Sequence, residues 1–137
     1  MQMKSLEIKG TKKTPGVEFI PDKGIMNITG NSIPEDPTSF YQPIDDLLEE
    51  YVQNAHDTTV VNIKLYYFNT GTSKWLLYLF LKFKEINDNG KHVDINWYYE
   101  DEDEDCKEAG ESYKSILKLP FHLVKYQPEE FVKINQQ

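Results

Sequence analysis

The sequence contains no arginine, a single cysteine and no long run of apolar residues. All 15 basic residues are lysine, against 23 acidic residues, so the net charge is -8. Arginine provides the planar, forked contacts that recognise phosphates and base edges, and an acidic surface repels a polyanion. We therefore expect no nucleic acid among the partners of this protein.

The single thiol excludes an intrachain disulfide, and no apolar stretch approaches the roughly 20 residues that a membrane-spanning helix needs. The first four residues lead directly into strand-like sequence, without a signal-peptide pattern. We expect a cytoplasmic protein with no direct membrane insertion. The histidines His56, His92 and His122 stand at no metal-ligand spacing, so we predict neither a metal site nor another cofactor.

A chain of 137 residues with 39% hydrophobic residues suffices for one domain with one core. We predict a single domain over 1–137, with a core over about 5–126 and a C-terminal tail over 127–137.

Apolar residues alternate in short runs up to about Gly30, between turn sequences, which predicts an antiparallel meander. Downstream, the patterns predict a helix after the 31–37 loop, a strand over 59–68, a helix over 72–87, a strand over 93–99, a helix with inward residues from Cys106 to Ile116 and Leu117, and a strand from Leu119.

Connections of this length between successive strands predict right-handed βαβαβ crossovers and parallel neighbours. The second sheet face stays polar, because it carries Asn62, Lys64, Asp94, Asn96 and His122. The expected fold is therefore a single domain of the broad α/β type, more narrowly α+β, with a mixed β-sheet and three helices on one face.

Six consecutive acidic residues, 100–105, precede the third predicted helix. The calcium-loop pattern fails, because Cys106 stands where a glycine is required. Carboxylates are favoured at a helix N-terminus, so the run caps the helix or, alternatively, forms an acidic partner surface. The same acids disfavour a reactive thiolate, which places Cys106 in the core.

The segment from Phe68 to Trp75 connects a buried strand to a helix and contains three hydroxyl residues and Lys74. One polar side chain there is expected to cap the helix. A phosphate on a threonine in this turn would also meet free backbone N–H groups and the positive helix end. Just downstream, Trp75 and Tyr78 either pack under neighbouring helices or form an exposed patch for a partner.

Several motifs, in this order, resemble the SiaC family of bacterial regulatory phosphoproteins over about Leu6 to Tyr126. The motifs are Thr14-Pro15, Ser32-Ile33-Pro34-Glu35, Phe40-Tyr41-Gln42-Pro43, Tyr67-Phe68-Asn69-Thr70, Trp97-Tyr98-Tyr99-Glu100 and Glu108-Ala109-Gly110.

This resemblance implies a STAS-like fold, similar to that of the anti-sigma-factor antagonists of partner-switching systems. It also implies a threonine switch before a helix, phosphorylated by a cognate protein kinase and dephosphorylated by a membrane-associated PPM-type phosphatase. The unphosphorylated form of such a protein binds and activates a diguanylate cyclase, which raises cyclic di-GMP and promotes aggregation or biofilm formation.

By this resemblance the phosphoacceptor is Thr70. Gly71 and Thr72 stand where the family often has two serines, so Thr72 and Ser73 remain alternative acceptors. No catalytic residue is implied, and the protein is expected not to be an enzyme. The residues expected to contact partners are Asn69, Gly71, Thr72, Ser73, Lys74, Trp75 and Tyr78.

Two other functions are compatible with the residues. A small hydrolase or isomerase could use His92, His122 and nearby carboxylates on the open sheet face. A constitutive adaptor could bind a partner through Trp75 and Tyr78 without any switching.

Overall fold

Strands and helices alternate along most of the chain in the computed structural model, which describes residues 3–128. The elements are β1 (Leu6–Ile8), β2 (Gly16–Ile20), β3 (Ile25–Ser32), α1 (Pro37–Gln53), β4 (Thr58–Phe68), α2 (Thr70–Asp88), β5 (His92–Glu100), α3 (Glu104–Leu117) and β6 (Phe121–Tyr126).

The six strands form one mixed sheet whose spatial order follows the chain from β1 to β6. Strands β1 to β3 pair antiparallel, and β3 to β6 pair parallel. Each helix connects one parallel strand to its immediate neighbour, always in the same direction across the sheet. Because such crossovers are right-handed, all three helices lie on one face. The predicted α+β fold with a mixed sheet is confirmed.

The core lies between this helical layer and the inward side chains of the sheet. Trp97 on β5 is at its centre, in ring contact with Phe68, Phe80, Tyr113 and Phe121. Gly110 lets α3 approach this ring, since a Cβ atom there would lie 2.5 Å from Cδ1 of Trp97. Aromatic packing of this kind fixes the distance between α3 and the sheet.

The opposite face of the sheet is polar, as predicted, and its side chains are hydrogen-bonded in a row across four strands. Asn96 donates from Nδ2 to Oδ1 of Asn62 at 2.9 Å, and Asn62 donates to Asn27 at 2.9 Å. Asn27 in turn donates to the carboxylate of Glu18 at 3.0 Å. The four residues occupy matching register positions on β2, β3, β4 and β5, so the amides satisfy one another.

Two details differ from the predictions. Helix α2 begins at Thr70 rather than at residue 72, because the side chain of Asn69 caps it there. Ile116, predicted to point inward, is 60% exposed, since the buried stripe of α3 runs through Cys106, Gly110, Tyr113 and Leu117.

The predicted C-terminal tail, 127–137, lies outside the described residues from position 129 onward. Within residues 3–128, no helix combines the length and apolar character needed to cross a membrane.

Candidate functional site

The candidate site is the beginning of α2, where the chain leaves β4 and turns into the helix. The Oδ1 atom of Asn69 accepts a hydrogen bond from the backbone N–H of Thr72 at 2.9 Å, which caps the helix. The Nδ2 atom of Asn69 donates to the carbonyl of Pro34 at 3.3 Å. One side chain therefore both starts α2 and joins it to the segment before α1.

Thr72 is fully buried, and its hydroxyl belongs to a chain of three buried hydroxyls. Its Oγ1 atom donates to the carbonyl of Ser32 at 2.8 Å and lies 2.7 Å from the Ser32 hydroxyl. The Ser32 hydroxyl lies 2.6 Å from that of Tyr41. Each group thus donates one proton, from Tyr41 to Ser32, from Ser32 to Thr72, and from Thr72 to the Ser32 carbonyl.

This hydroxyl chain has a structural role. Burial raises the pKa of Tyr41 to about 12, so its hydroxyl stays protonated and remains a donor. Thr72 was predicted to contact partners and to be an alternative phosphoacceptor, but its side chain is fully buried in the folded protein.

The neighbouring residues of the first helical turn differ sharply in exposure. Thr70 is exposed, whereas Ser73 is half-buried with its hydroxyl donating to the carbonyl of Asn69 at 3.3 Å. The carbonyl of Ser73 accepts from the hydroxyl of Tyr113 on α3 at 2.9 Å. Gly71 packs tightly, since a Cβ atom there would lie 2.6 Å from Cγ of Pro37. Of the three hydroxyls at this helix start, Thr70 is the exposed one.

Exposed side chains continue from Thr70 along the outer surface of α2. Lys74 and Tyr78 follow at intervals of four residues, and Leu81 follows three residues later, so the four share one helix face. We call this set the α2 stripe. Tyr78 is 51% exposed and Leu81 is 45% exposed. Of the two residues for which an exposed patch was one alternative, Tyr78 is exposed and Trp75 is half-buried.

Trp75 connects the α2 stripe to the buried hydroxyl chain. Its ring is half-buried and stacks on Tyr41, with centroids 6.1 Å apart and an interplanar angle of 14°. Tyr78 contacts Trp75 edge-on at 5.6 Å. A continuous set of contacts therefore runs from Thr72 through Ser32, Tyr41 and Trp75 to the surface.

A second polar cluster lies on the open sheet face, where the enzyme hypothesis placed it. The Nε2 atoms of His92 and His122 lie 2.7 Å and 2.9 Å from the two carboxylate oxygens of Asp94. The hydrogen bond from His122, with that from His92, holds the pKa of Asp94 below its ordinary value of 3.8, although desolvation opposes the shift.

These histidines do not form an enclosed site. Their side chains are 52% and 53% exposed, whereas acid–base catalysis is favoured in a concave, water-excluding pocket. Among residues 3–128, no group of three or more His, Cys, Asp or Glu side chains has a geometry that holds a metal ion. We assign the cluster to surface hydrogen bonding.

The acidic segment before α3 caps that helix, as one of the two interpretations predicted. The Oδ1 atom of Asp103 accepts from the backbone N–H of Cys106 at 3.1 Å, and Glu104 and Asp105 occupy the first turn. Burial raises the pKa of the Cys106 thiol to about 11, which makes it unreactive at neutral pH and agrees with its core position.

A protein family and several solved structures match this chain in sequence and architecture. A sequence model of the SiaC family regulatory phosphoproteins matches residues 8–126. The chain belongs to this family. An uncharacterized protein of Pseudomonas aeruginosa (strain UCBPP-PA14) is 24% identical to it over 119 residues, covering 87% of this chain and 94% of that protein.

Solved structures of SiaC from Pseudomonas aeruginosa share the fold. SiaC in complex with the diguanylate cyclase SiaD, of which it is the activator, superposes with a TM-score of 0.83 at 23% identity, covering 88% of this chain and 99% of that one. Apo-SiaC gives a TM-score of 0.82 at 23% identity, over 89% and 99% of the two chains.

Two residues of the site, Ser32 and Tyr41, were not singled out individually in the sequence. Both occur in motifs that resemble the SiaC family, which was the available indication. Their contact with Thr72 spans up to 40 residues along the chain, and a pairing of that kind leaves no periodic pattern.

The two threonines of the first helical turn should respond differently to loss of the hydroxyl. Thr72→Val removes the acceptor of the Ser32 hydroxyl and one of the two donors to the Ser32 carbonyl, which keeps the N–H of Asn69, so we expect a loss of about 1–3 kcal/mol in the free energy of unfolding. Thr70→Val, the matched control at an exposed position, should change it by less than about 0.5 kcal/mol. Urea denaturation measures both; equal losses would contradict the assigned roles.

Removal of the Asp94 carboxylate should have a pH-dependent effect. Because the pKa of Asp94 is lower in the folded protein than in the unfolded chain, its carboxylate stabilises the fold at any pH above about 3.8. This stabilisation is lost as the pH falls through the lowered pKa of the folded protein. Asp94→Asn should therefore be less stable than wild type at about pH 6, with the difference shrinking toward about pH 3. Denaturation midpoints across this range measure it, with the exposed Asp57→Asn as control. A difference that grows on acidification would refute the assignment.

Proposed function

We propose that this protein is a non-enzymatic signalling switch in which phosphorylation of Thr70 controls the binding of an effector protein. The observation that carries the proposal is the contrast within one helical turn. Thr70 is exposed at the start of a capped helix, whereas Thr72 is fully buried. A kinase needs an accessible hydroxyl, and Thr70 offers one.

Phosphorylation of Thr70 would change the α2 stripe electrostatically. The phosphate carries about 1.5 to 2 negative charges at neutral pH, and a helix N-terminus stabilises an anion. Lys74 lies four residues further along the same helix face, within reach of an ion pair with that phosphate. The modification would therefore add negative charge to the stripe and occupy its lysine, while α2 stays folded.

The unphosphorylated stripe is the proposed effector surface. It combines a cationic side chain, Lys74, with exposed Tyr78 and Leu81, and the half-buried ring of Trp75 packs beside Tyr78. Exposed aromatic and aliphatic side chains of this kind are typical of protein interaction sites. A dianion at its N-terminal end would oppose an effector that presents acidic groups to Lys74.

The proposed effector is a diguanylate cyclase. Support comes from the SiaC–SiaD complex, in which a protein of the same fold is the activator of such an enzyme. We further propose that a cognate kinase and a PPM-type phosphatase set the phosphorylation state, and that the protein acts in the cytoplasm. The unphosphorylated form would then raise cyclic di-GMP and promote aggregation or biofilm formation.

A constitutive adaptor is the second candidate, because Tyr78 and Leu81 are exposed whatever the state of Thr70. The two functions differ in one respect. An adaptor would bind its partner equally well with and without charge at Thr70.

Charge at Thr70 should weaken binding to a diguanylate cyclase from the same organism. We expect Thr70→Glu to raise the dissociation constant by about tenfold or more, since like charges across an interface cost several kcal/mol. Thr70→Ala should bind like wild type and resist the kinase. Calorimetric titration, with cyclase activity as a second readout, measures the effect.

The matched control is Ser112→Glu, which adds the same charge at an exposed position of α3. It should leave affinity unchanged. If Thr70→Glu binds the cyclase with wild-type affinity, the proposed switch is contradicted and the adaptor function is favoured.

A further inference from the structure

A cleft beside the start of α2 combines aromatic and acidic walls. It encloses a cavity of about 350 Å³ between the end of β4 and the first turns of α3. We call it the aromatic–acidic cleft. Its lining residues are Tyr66, Tyr67, Phe68, Asp103, Asp105, Cys106 and Ala109.

A second cavity, of about 500 Å³, adjoins the cleft and shares Tyr67 and Asp103 with it. Its other lining residues are Glu100, Asp101, Glu102, Gln127 and Pro128. Among residues 3–128, the two cavities together are lined by five carboxylates and by no lysine or histidine. The chain as a whole carries a net charge of -8, which strengthens the negative potential in such a concave region.

Tyr67 lines both cavities, and most of its side chain is exposed to solvent. It is 71% exposed, the highest value among the large apolar and aromatic side chains of residues 3–128. An aromatic face beside carboxylates is the environment in which a cation gains from both the ring and the charges. The same end of the sheet already holds one such contact, since Nζ of Lys64 lies 4.3 Å from the ring centroid of Tyr126.

Two of the carboxylates that line the two cavities already accept hydrogen bonds within the fold. Asp103 caps α3, and Asp101 accepts from Nε2 of Gln127 at 2.8 Å. A carboxylate holds about four lone-pair sites, so each retains acceptor capacity for a ligand. Asp105 is exposed at the rim.

We propose that the aromatic–acidic cleft binds an arginine side chain presented by a partner protein. A guanidinium group stacks on an aromatic ring and donates in a planar fork to carboxylates, which fits Tyr67 beside Asp103 and Asp105. The occupant belongs to a different protein, because this chain contains no arginine. The proposal does not rest on phosphorylation, since the cleft is complete without it.

The test is an NMR titration of the full unphosphorylated chain with a blocked Gly-Arg-Gly-Arg-Gly peptide. The matched probe is the same peptide with citrulline for arginine, which keeps the shape and removes the charge. We expect amide shifts at residues 66–68 and 100–106 with the arginine peptide only. Absence of shifts at millimolar peptide, or equal shifts with citrulline, would overturn the proposal.

Variants separate the cleft from general attraction to an acidic protein. Tyr67→Leu should weaken arginine-peptide binding by about two- to fivefold through loss of the ring, whereas Tyr67→Phe should bind like wild type. The double variant Asp103→Asn, Asp105→Asn keeps a capping side chain at 103 and should lower affinity further. The control double variant Glu50→Gln, Glu85→Gln removes two exposed charges on α1 and α2, outside the lining of the cleft, and should have no effect. Equal losses in both double variants would show nonspecific attraction and refute the site.

Discussion

The buried hydroxyl chain of Tyr41, Ser32 and Thr72 is the contact on which the rest of the site depends. It joins α1, the end of β3 and the first turn of α2 at a single point, where all three side chains are fully buried. A buried hydroxyl without a partner costs about 1–3 kcal/mol, so each member holds the others in place. The start of α2 is thereby fixed relative to the sheet.

Fixing the helix start separates the roles of its neighbouring hydroxyls. Thr72 must point inward to complete the chain, and the helical repeat then turns Thr70, two residues earlier, toward solvent. The same rigidity places Lys74 and Tyr78 on the face that Thr70 begins. Because Trp75 stacks on Tyr41, the exposed α2 stripe is in contact with the buried network. Modification and recognition would thus act on one rigid surface.

The sequence predicted the antiparallel meander, the parallel crossovers and the polar second face, because alternating apolar runs, helix-length connections and polar strand positions are local patterns. Local patterns did not predict two details. They did not show that Asn69 is the polar residue of the turn that caps α2 and starts it at Thr70, and they placed Ile116 in the inward stripe of α3, where it is exposed. The buried state of Thr72 depends on residues up to 40 positions away, and the meeting of His92 and His122 at Asp94 depends on strand register. Neither is readable from spacing.

The central claim is that Thr70 is the modified hydroxyl, and phosphosite mapping tests it most directly. The protein would be purified from its native host and analysed by intact mass and peptide mass spectrometry, with and without phosphatase treatment. The account predicts a single removable phosphate on Thr70. A phosphate on buried Thr72 or on Ser73 instead, or no phosphate even after co-expression with the cognate kinase, would contradict it.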